Sequence, residues 1–199
     1  MTRVVISALV EGQGEVAAMR VLLPRIAAEV APHVWLKVPE PYRMPRGRLL
    51  LPGGLERAVA ALAEQSGQGG GVLVLLDADD DCPAELGPGL LERATAAGRP
   101  GSRSVVVANR EFEAWFLAAA PSLRGQRGLA ADLSLPPDPE KARDCKGWLS
   151  DHRVDNRAYK PAADQAALAA RFDLQMARKH SPSFDKLWRD VKRLLLEVA

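Results

Sequence analysis

Four short apolar runs alternate along this chain with longer segments whose apolar residues recur at helical spacing. The first run, Val4 to Val10, is continuous and rich in β-branched residues, which predicts a buried strand ending at Glu11-Gly12. From Glu15 to about Val30, Met19, Leu22, Leu23, Ile26 and Val30 fall on one helical face, with Pro24 expected to sit in the first turns or to kink the segment. His33 to Val38 is a shorter strand candidate, and Pro39 to Gly54, rich in Pro, Arg and Gly, reads as a loop. Leu55, Val59 and Leu62 mark a second helix, which the glycine-rich stretch from Ser66 to Gly71 stops. Val72 to Leu76 is the third strand, Pro83 to Ala97 a helix that Gly87-Pro88-Gly89 threatens to interrupt, and Ser104 to Ala108 the fourth strand.

Strands alternating with helices predict an α/β fold, because parallel strands need crossovers and these are almost always right-handed. The expectation is a mostly parallel four-stranded sheet with helices on both faces, spanning residues 1–120. After about Arg124 no buried strand is visible; amphipathic stretches at about 139–150, 162–172 and 183–198 predict a helical extension, residues 121–199, packed on the same core.

Composition narrows the function classes. With 27 basic and 25 acidic residues the chain lacks the strong positive charge of a general nucleic-acid binder, yet residues 1–98 are net acidic and residues 99–199 net basic. An acidic site beside a basic flank suits a metal-bound phosphate substrate. Two cysteines and three histidines give no disulfide framework and no zinc-ligand spacing, and no apolar run is long enough for a signal-peptide core or a membrane span. These features predict a cytoplasmic protein with no membrane partner.

The chemistry lies in carboxylates that follow strands. Glu11 and Glu15 bracket Gly12-Gln13-Gly14 after the first strand, and Asp77-Ala78-Asp79-Asp80-Asp81 follows the third. In an open α/β sheet, ligands bind outside the carboxyl ends of the strands, so these acids converge on one crevice. In extended geometry Asp77 and Asp79 face the same side, and a divalent ion such as Mg²⁺ would relieve their repulsion. Asp80 or Asp81 is expected to cap the following helix, and Glu15 serves equally well as a first-turn helix residue.

Glu11-Gly12 after the first strand and Asp77-x-Asp79 after the third resemble the Toprim domain shared by topoisomerases, primases and OLD-type (overcoming lysogenization defect) nucleases. The form Val10-Glu11-Gly12-Gln13-Gly14-Glu15 is closest to the OLD-type variant. Asn109 to Trp115 is similar to the acidic segment after the fourth strand of those domains. Tyr159-Lys160-Pro161 and Pro182-Ser183-Phe184 further resemble an uncharacterised bacterial family of small stand-alone Toprim-like proteins. The resemblance implies Glu11 as general acid/base or metal ligand and Asp77 and Asp79 as Mg²⁺ ligands, with Mn²⁺ as an alternative ion. It implies Glu15, Glu111 and Glu113 as ligands of a second ion. Glu111 and Glu113 cannot share one helix face, so at most one is expected inward unless the segment is extended. Lys160 is the candidate catalytic lysine, and Arg110 the candidate phosphate-binding residue or the partner of a neighbouring carboxylate. The implied activity is Mg²⁺-dependent hydrolysis of nucleic-acid phosphodiesters by a nuclease.

No Gly-x-x-x-x-Gly-Lys-Ser/Thr phosphate loop is present, so an ATPase of the kind that accompanies OLD-type domains would be a separately encoded partner, with phage defence as the setting. The alternative is a non-catalytic Toprim-like interaction subunit of an ATPase complex. Both readings are compatible with a homo-oligomer.

Overall fold

A computed structural model of the chain describes residues 2–97 and 101–197. Five strands form its sheet: β1 (Thr2–Val10), β2 (Val34–Lys37), β3 (Tyr42–Arg43), β4 (Gly71–Asp77) and β5 (Ser102–Ala108). The order is β2-β1-β4-β5, every pairing is parallel, and β3 also pairs with β1. The four expected strands are present. The fifth, β3, is only two residues long and lies in the segment that reads as a loop. It pairs with Leu9 and Val10, beyond the stretch Thr2 to Val5 that β2 occupies.

The helices are α1 (Gln13–Val30), α2 (Arg46–Leu49), α3 (Gly54–Ser66), α4 (Pro83–Ala96), α5 (Ala114–Leu117), α6 (Cys145–Asp151), α7 (Ala166–Ala169), α8 (Leu174–His180) and α9 (Pro182–Leu196). Both α1 and α4 run through their internal prolines, Pro24 and Pro88. Each proline is exposed, so water can take the hydrogen bond that the ring removes. The extension is helical as expected, and α8 fills a stretch without a visible amphipathic signal; the expected end of the last helix, Val198, lies outside the described residues.

Alternation along the strands divides the core in two, as period-2 geometry requires of a sheet covered on both faces. Val4, Ile6, Ala8 and Val10 of β1, with Leu73 and Leu75 of β4, face one core together with α1 and the tail helices. Leu9, Val72, Val74 and Leu76 face the other, under α3 and α4. Phe112, Trp115, Phe116, Phe172 and Phe184 interlock in the first core with ring centroids 4.5–5.5 Å apart, which ties the tail to the segment after β5. Among the described residues no helix is long and apolar enough to cross a membrane.

One seam matters for the site. Gly14 in the first turn of α1 lies against a single π-helical turn, Pro161–Gln165. A Cβ at Gly14 would lie 2.1 Å from Gln165 Oε1 and 2.8 Å from the Pro161 carbonyl, and a backbone carbonyl cannot swing aside. Gly89 of α4 is exposed and has no atom within 4 Å of such a Cβ. Gly14→Ala is therefore expected to destabilise by about 1–3 kcal/mol through overpacking, despite the helix preference of alanine. Gly89→Ala is expected to stabilise by up to about 1 kcal/mol. Urea unfolding of the two variants checks the opposite signs.

Candidate functional site

The parallel register brings three strand ends to one edge. Val10 pairs with Leu75 and Asp77 with Ala108, so the residues after β1, at the end of β4 and after β5 lie side by side. Glu11, Glu15, Asp77, Glu111 and Glu113 gather there.

Each acid is held by groups from another segment. Glu15, buried in the first turn of α1, accepts from the backbone N–H groups of Glu11 and Gly12 at 3.1 and 3.2 Å through Oε2. It is thus a first-turn residue of α1 that bonds back to the N-cap amide, as in a capping box, and at the same time stands among the acids. Gly12 permits this fold-back, since a Cβ there would meet Glu15 Oε1 at 2.7 Å. Asp77 Oδ1 accepts from the Phe112 N–H at 2.8 Å. Glu113 is only 1% exposed, and its Oε1 accepts from the Tyr159 hydroxyl at 3.0 Å and from the Gln165 amide at 3.4 Å.

Both Glu111 and Glu113 point inward, against the expectation that at most one would. The reason is that α5 begins only at Ala114, so the two acids leave a turn rather than a helix face. Lys146 of α6 bridges them, with Nζ 3.4 Å from Glu111 Oε2 and 3.4 Å from Glu113 Oε2. Lys160 is exposed, donates its backbone N–H to Asp164, and among the described residues forms no ion pair with the acids. The neighbouring Tyr159 is the residue of that motif which reaches the cluster. Lys146, Tyr159 and Gln165 were not singled out by sequence. Tyr159 lay in a recognised motif, whereas a lysine beside a buried cysteine in an amphipathic stretch carries no distinguishing signal.

The Asp-rich segment departs from its expected geometry. The strand ends at Asp77, and Asp79 has a left-handed backbone (φ 53°), so Asp77 and Asp79 are not two alternate residues of one extended strand. Asp79 is exposed, with its carboxylate 3.8 Å from Arg46. Asp80 and Asp81 do not cap α4, whose N-cap is Cys82 without a side-chain bond. Asp81 pairs with Arg46, and Asp80 with Arg110 at 3.0 Å and Arg143 at 3.4 Å. Arg110 thus pairs with a neighbouring carboxylate and also donates to the Asp79 carbonyl, both through Nη1. Arg46 also reaches the Asp77 carbonyl, and Arg43 Nε donates to the Glu11 carbonyl at 3.3 Å. The basic segment after β2 is laid over the acidic edge.

Burial pushes the carboxyl groups upward. Asp77 is held well above the usual carboxylate range by desolvation and then by the charges of Glu15 and Glu113. Glu15 is raised to about 7 by burial, with Glu113 and Glu11 adding to the rise and its two amide donors opposing it. Burial raises Glu113 against the pull of Lys146, and raises Glu11 against the pull of Arg46. Desolvation alone would lower Lys146, but Glu113, Glu111 and Asp77 hold its ammonium above the ordinary lysine value. Burial pushes the Cys145 thiol up to about 12, which keeps it protonated at neutral pH and unsuited to nucleophilic attack.

The side chains gathered here offer carboxylate oxygens, the donor type that a hard cation takes. Glu111 Oε2 and Glu113 Oε2 are shielded from solvent and face the Lys146 ammonium at 3.4 Å, whereas Glu11 Oε2 is shielded with no hydrogen-bond donor, which is costly for a carboxylate oxygen in a protein interior. Among the described residues no group of three or more histidine, cysteine, aspartate or glutamate side chains is placed to hold a metal ion. An ion held here would take only one or two of these carboxylates and keep its waters, as Mg²⁺ can.

The model of a protein family described as "Domain of unknown function (DUF4276)" matches residues 10–192. No curated protein and no solved structure matches the chain.

A carboxyl with a raised folded pKa binds its proton more tightly in the folded state. The stability that Glu15 contributes is therefore fully present below its unfolded value of 4.5 and is lost as pH rises through about 7. Glu15→Gln, which keeps an oxygen for the two amides, is expected to remove this loss, on the order of 1–3 kcal/mol between pH 4.5 and 8. Chemical denaturation of wild type and variant across that range in a chelating buffer checks it; equal pH slopes would contradict it.

Proposed function

The chain belongs to the DUF4276 family, and from the geometry of its acidic edge we propose that it hydrolyses nucleic-acid phosphodiester bonds with the aid of Mg²⁺ or Mn²⁺. The observation that carries this reading is the convergence of Glu11, Glu15, Asp77, Glu111 and Glu113 from three strand ends, with Lys146 between Glu111 and Glu113 and a buried Glu11 oxygen left without a hydrogen bond. Glu11 and Asp77 would hold the cation, Asp79 would offer a carboxylate at the exposed rim, and Glu111 and Glu113 would serve a second ion. When bound, the cation supplies a Lewis acid for a phosphoryl oxygen and lowers the pKa of a water.

The side chains divide the remaining work. Lys146 is a cation and hydrogen-bond donor fixed by two ion pairs, suited to stabilise negative charge developing on the phosphate, the role the Toprim resemblance suggested for Lys160. Glu11, with an uncommitted oxygen and a raised pKa, is placed to accept or return a proton. Tyr159 and Gln165 position Glu113, and the Phe112 amide positions Asp77. Arg110 uses only Nη1 in its two bonds, which leaves donors for a phosphate oxygen. An ATPase partner, a cytoplasmic setting and a place in phage defence accompany the resemblance.

A second reading has one observation in its favour. Lys146 and Arg46 already compensate much of the acidic charge, as in a structural ion-pair network serving a non-catalytic subunit of an ATPase complex.

Cleavage of plasmid and of single-stranded DNA and RNA by the pure protein in Mg²⁺ and in Mn²⁺ separates the two. Asp77→Asn and Glu11→Gln are each expected to lose about 100- to 1000-fold of the rate, and Lys146→Met a comparable amount, with the fold retained by circular dichroism. Undiminished cleavage in both acid variants would refute the catalytic reading. Absence of cleavage by wild type, also with a candidate ATPase added, would favour the non-catalytic subunit.

A further inference from the structure

Beside the acidic edge, between the start of α1, β3 and α3, lies an open cleft of about 850 Å³. Its walls carry three arginines, Arg43, Arg48 and Arg57, against one acid, Glu40. Arg48 and Arg57 are exposed and pair with no carboxylate among the described residues, unlike Arg46, which is committed to the Asp-rich segment. Tyr42 stands at the wall with about half of its surface exposed (48%), although an aromatic side chain of this size is normally more deeply covered. The cleft is continuous with the acids, since it is also lined by Gln13, two residues from Glu11, and Arg43 donates to the Glu11 carbonyl.

We propose that this cleft is the guide groove for one unpaired strand of nucleic acid, gripping the phosphates that flank the bond presented to the acidic edge. The proposal rests on the phosphodiesterase reading for its direction and goes beyond it in naming the substrate form and the residues that select it. Arg48 and Arg57 are unneutralised cations, the chemistry that backbone phosphates require. Tyr42 offers a ring face on which a base can stack, and a base is free to stack there only when it is unpaired. The volume lies in the range of pockets that enclose a ligand of moderate size, which accommodates a strand segment. The net positive cleft beside the net negative edge also gives a strand a polarity of approach, with its phosphates attracted to one side and repelled by the other until a cation is bound.

The test is fluorescence anisotropy of a labelled oligothymidylate with the full chain in EDTA, where cleavage does not interfere, at several salt concentrations. Arms with the matching RNA, with a duplex and with a competing mononucleotide identify the source of the phosphate. The double variant Arg48→Ala/Arg57→Ala is expected to bind at least about tenfold more weakly and to flatten the salt dependence of log K by about 1.4, two phosphate contacts at about 0.7 each. Tyr42→Ala is expected to weaken binding by about five- to a hundredfold, the loss of one stacked base. These side chains are exposed, so circular dichroism should show an unchanged fold. Wild-type affinity and salt slope in both variants, duplex bound as tightly as single strand, or complete displacement by a mononucleotide would each overturn the proposal. The outcome is independent of catalysis: loss of binding in these variants without any cleavage by wild type would sustain the groove and refute the phosphodiesterase. Cleavage with unaltered binding would do the reverse.

Discussion

Mutual repulsion among desolvated carboxylates is the constraint on which the acidic edge of this protein depends. Two unit charges 4 Å apart at an effective dielectric of about 20 interact by about 4 kcal/mol, so ionised acids crowded at three strand ends would oppose folding unless compensated. The chain compensates them in two ways. Lys146 inserts a positive charge between Glu111 and Glu113, and backbone amides or neutral donors hold Glu15, Asp77 and Glu113. Burial, more than repulsion, still keeps Glu15, Asp77, Glu113 and Glu11 above their ordinary values, with neighbouring carboxylates adding to the rise. On the proposed reading a cation displaces those protons when it binds.

The sheet supplies the acids, but elements outside it make them a site. The segment after β2 brings Arg46 to the Asp-rich turn, and the tail brings Lys146, Tyr159 and Gln165 to Glu111 and Glu113. Gly14 is the point at which α1 and the tail come together, and the absence of a side chain there lets Gln165 reach Glu113. Packing and electrostatics are thus coupled: Cys145, Leu149, Tyr159 and Leu168, next to or within the segments that bear Lys146 and Gln165, share one core with the aromatic cluster that anchors the tail.

Much of this was legible in the sequence. Buried parallel strands write continuous β-branched runs, so β1, β4 and β5 stand out, and acids directly behind such runs mark the functional edge. Strand β3 did not stand out, because a two-residue pairing leaves no period to detect. The destination of Asp79, Asp80 and Asp81 was hidden for another reason: local capping rules do not foresee arginines arriving from the segments 39–54 and 109–143. Lys146 was invisible because its significance arises wholly from tertiary packing. The motif around Lys160 was informative, but through Tyr159, whose hydroxyl bonds Glu113.

The proposal that these buried, mutually repelling carboxyl groups hold a cation is tested most directly by the protons released when one binds. Titration calorimetry of Mn²⁺ into the protein at pH 7, in buffers of different ionisation enthalpy, counts the protons released on binding. Saturable binding with release of about one proton, abolished in Asp77→Asn, is expected. Binding without proton release, or binding unchanged in that variant, would contradict it.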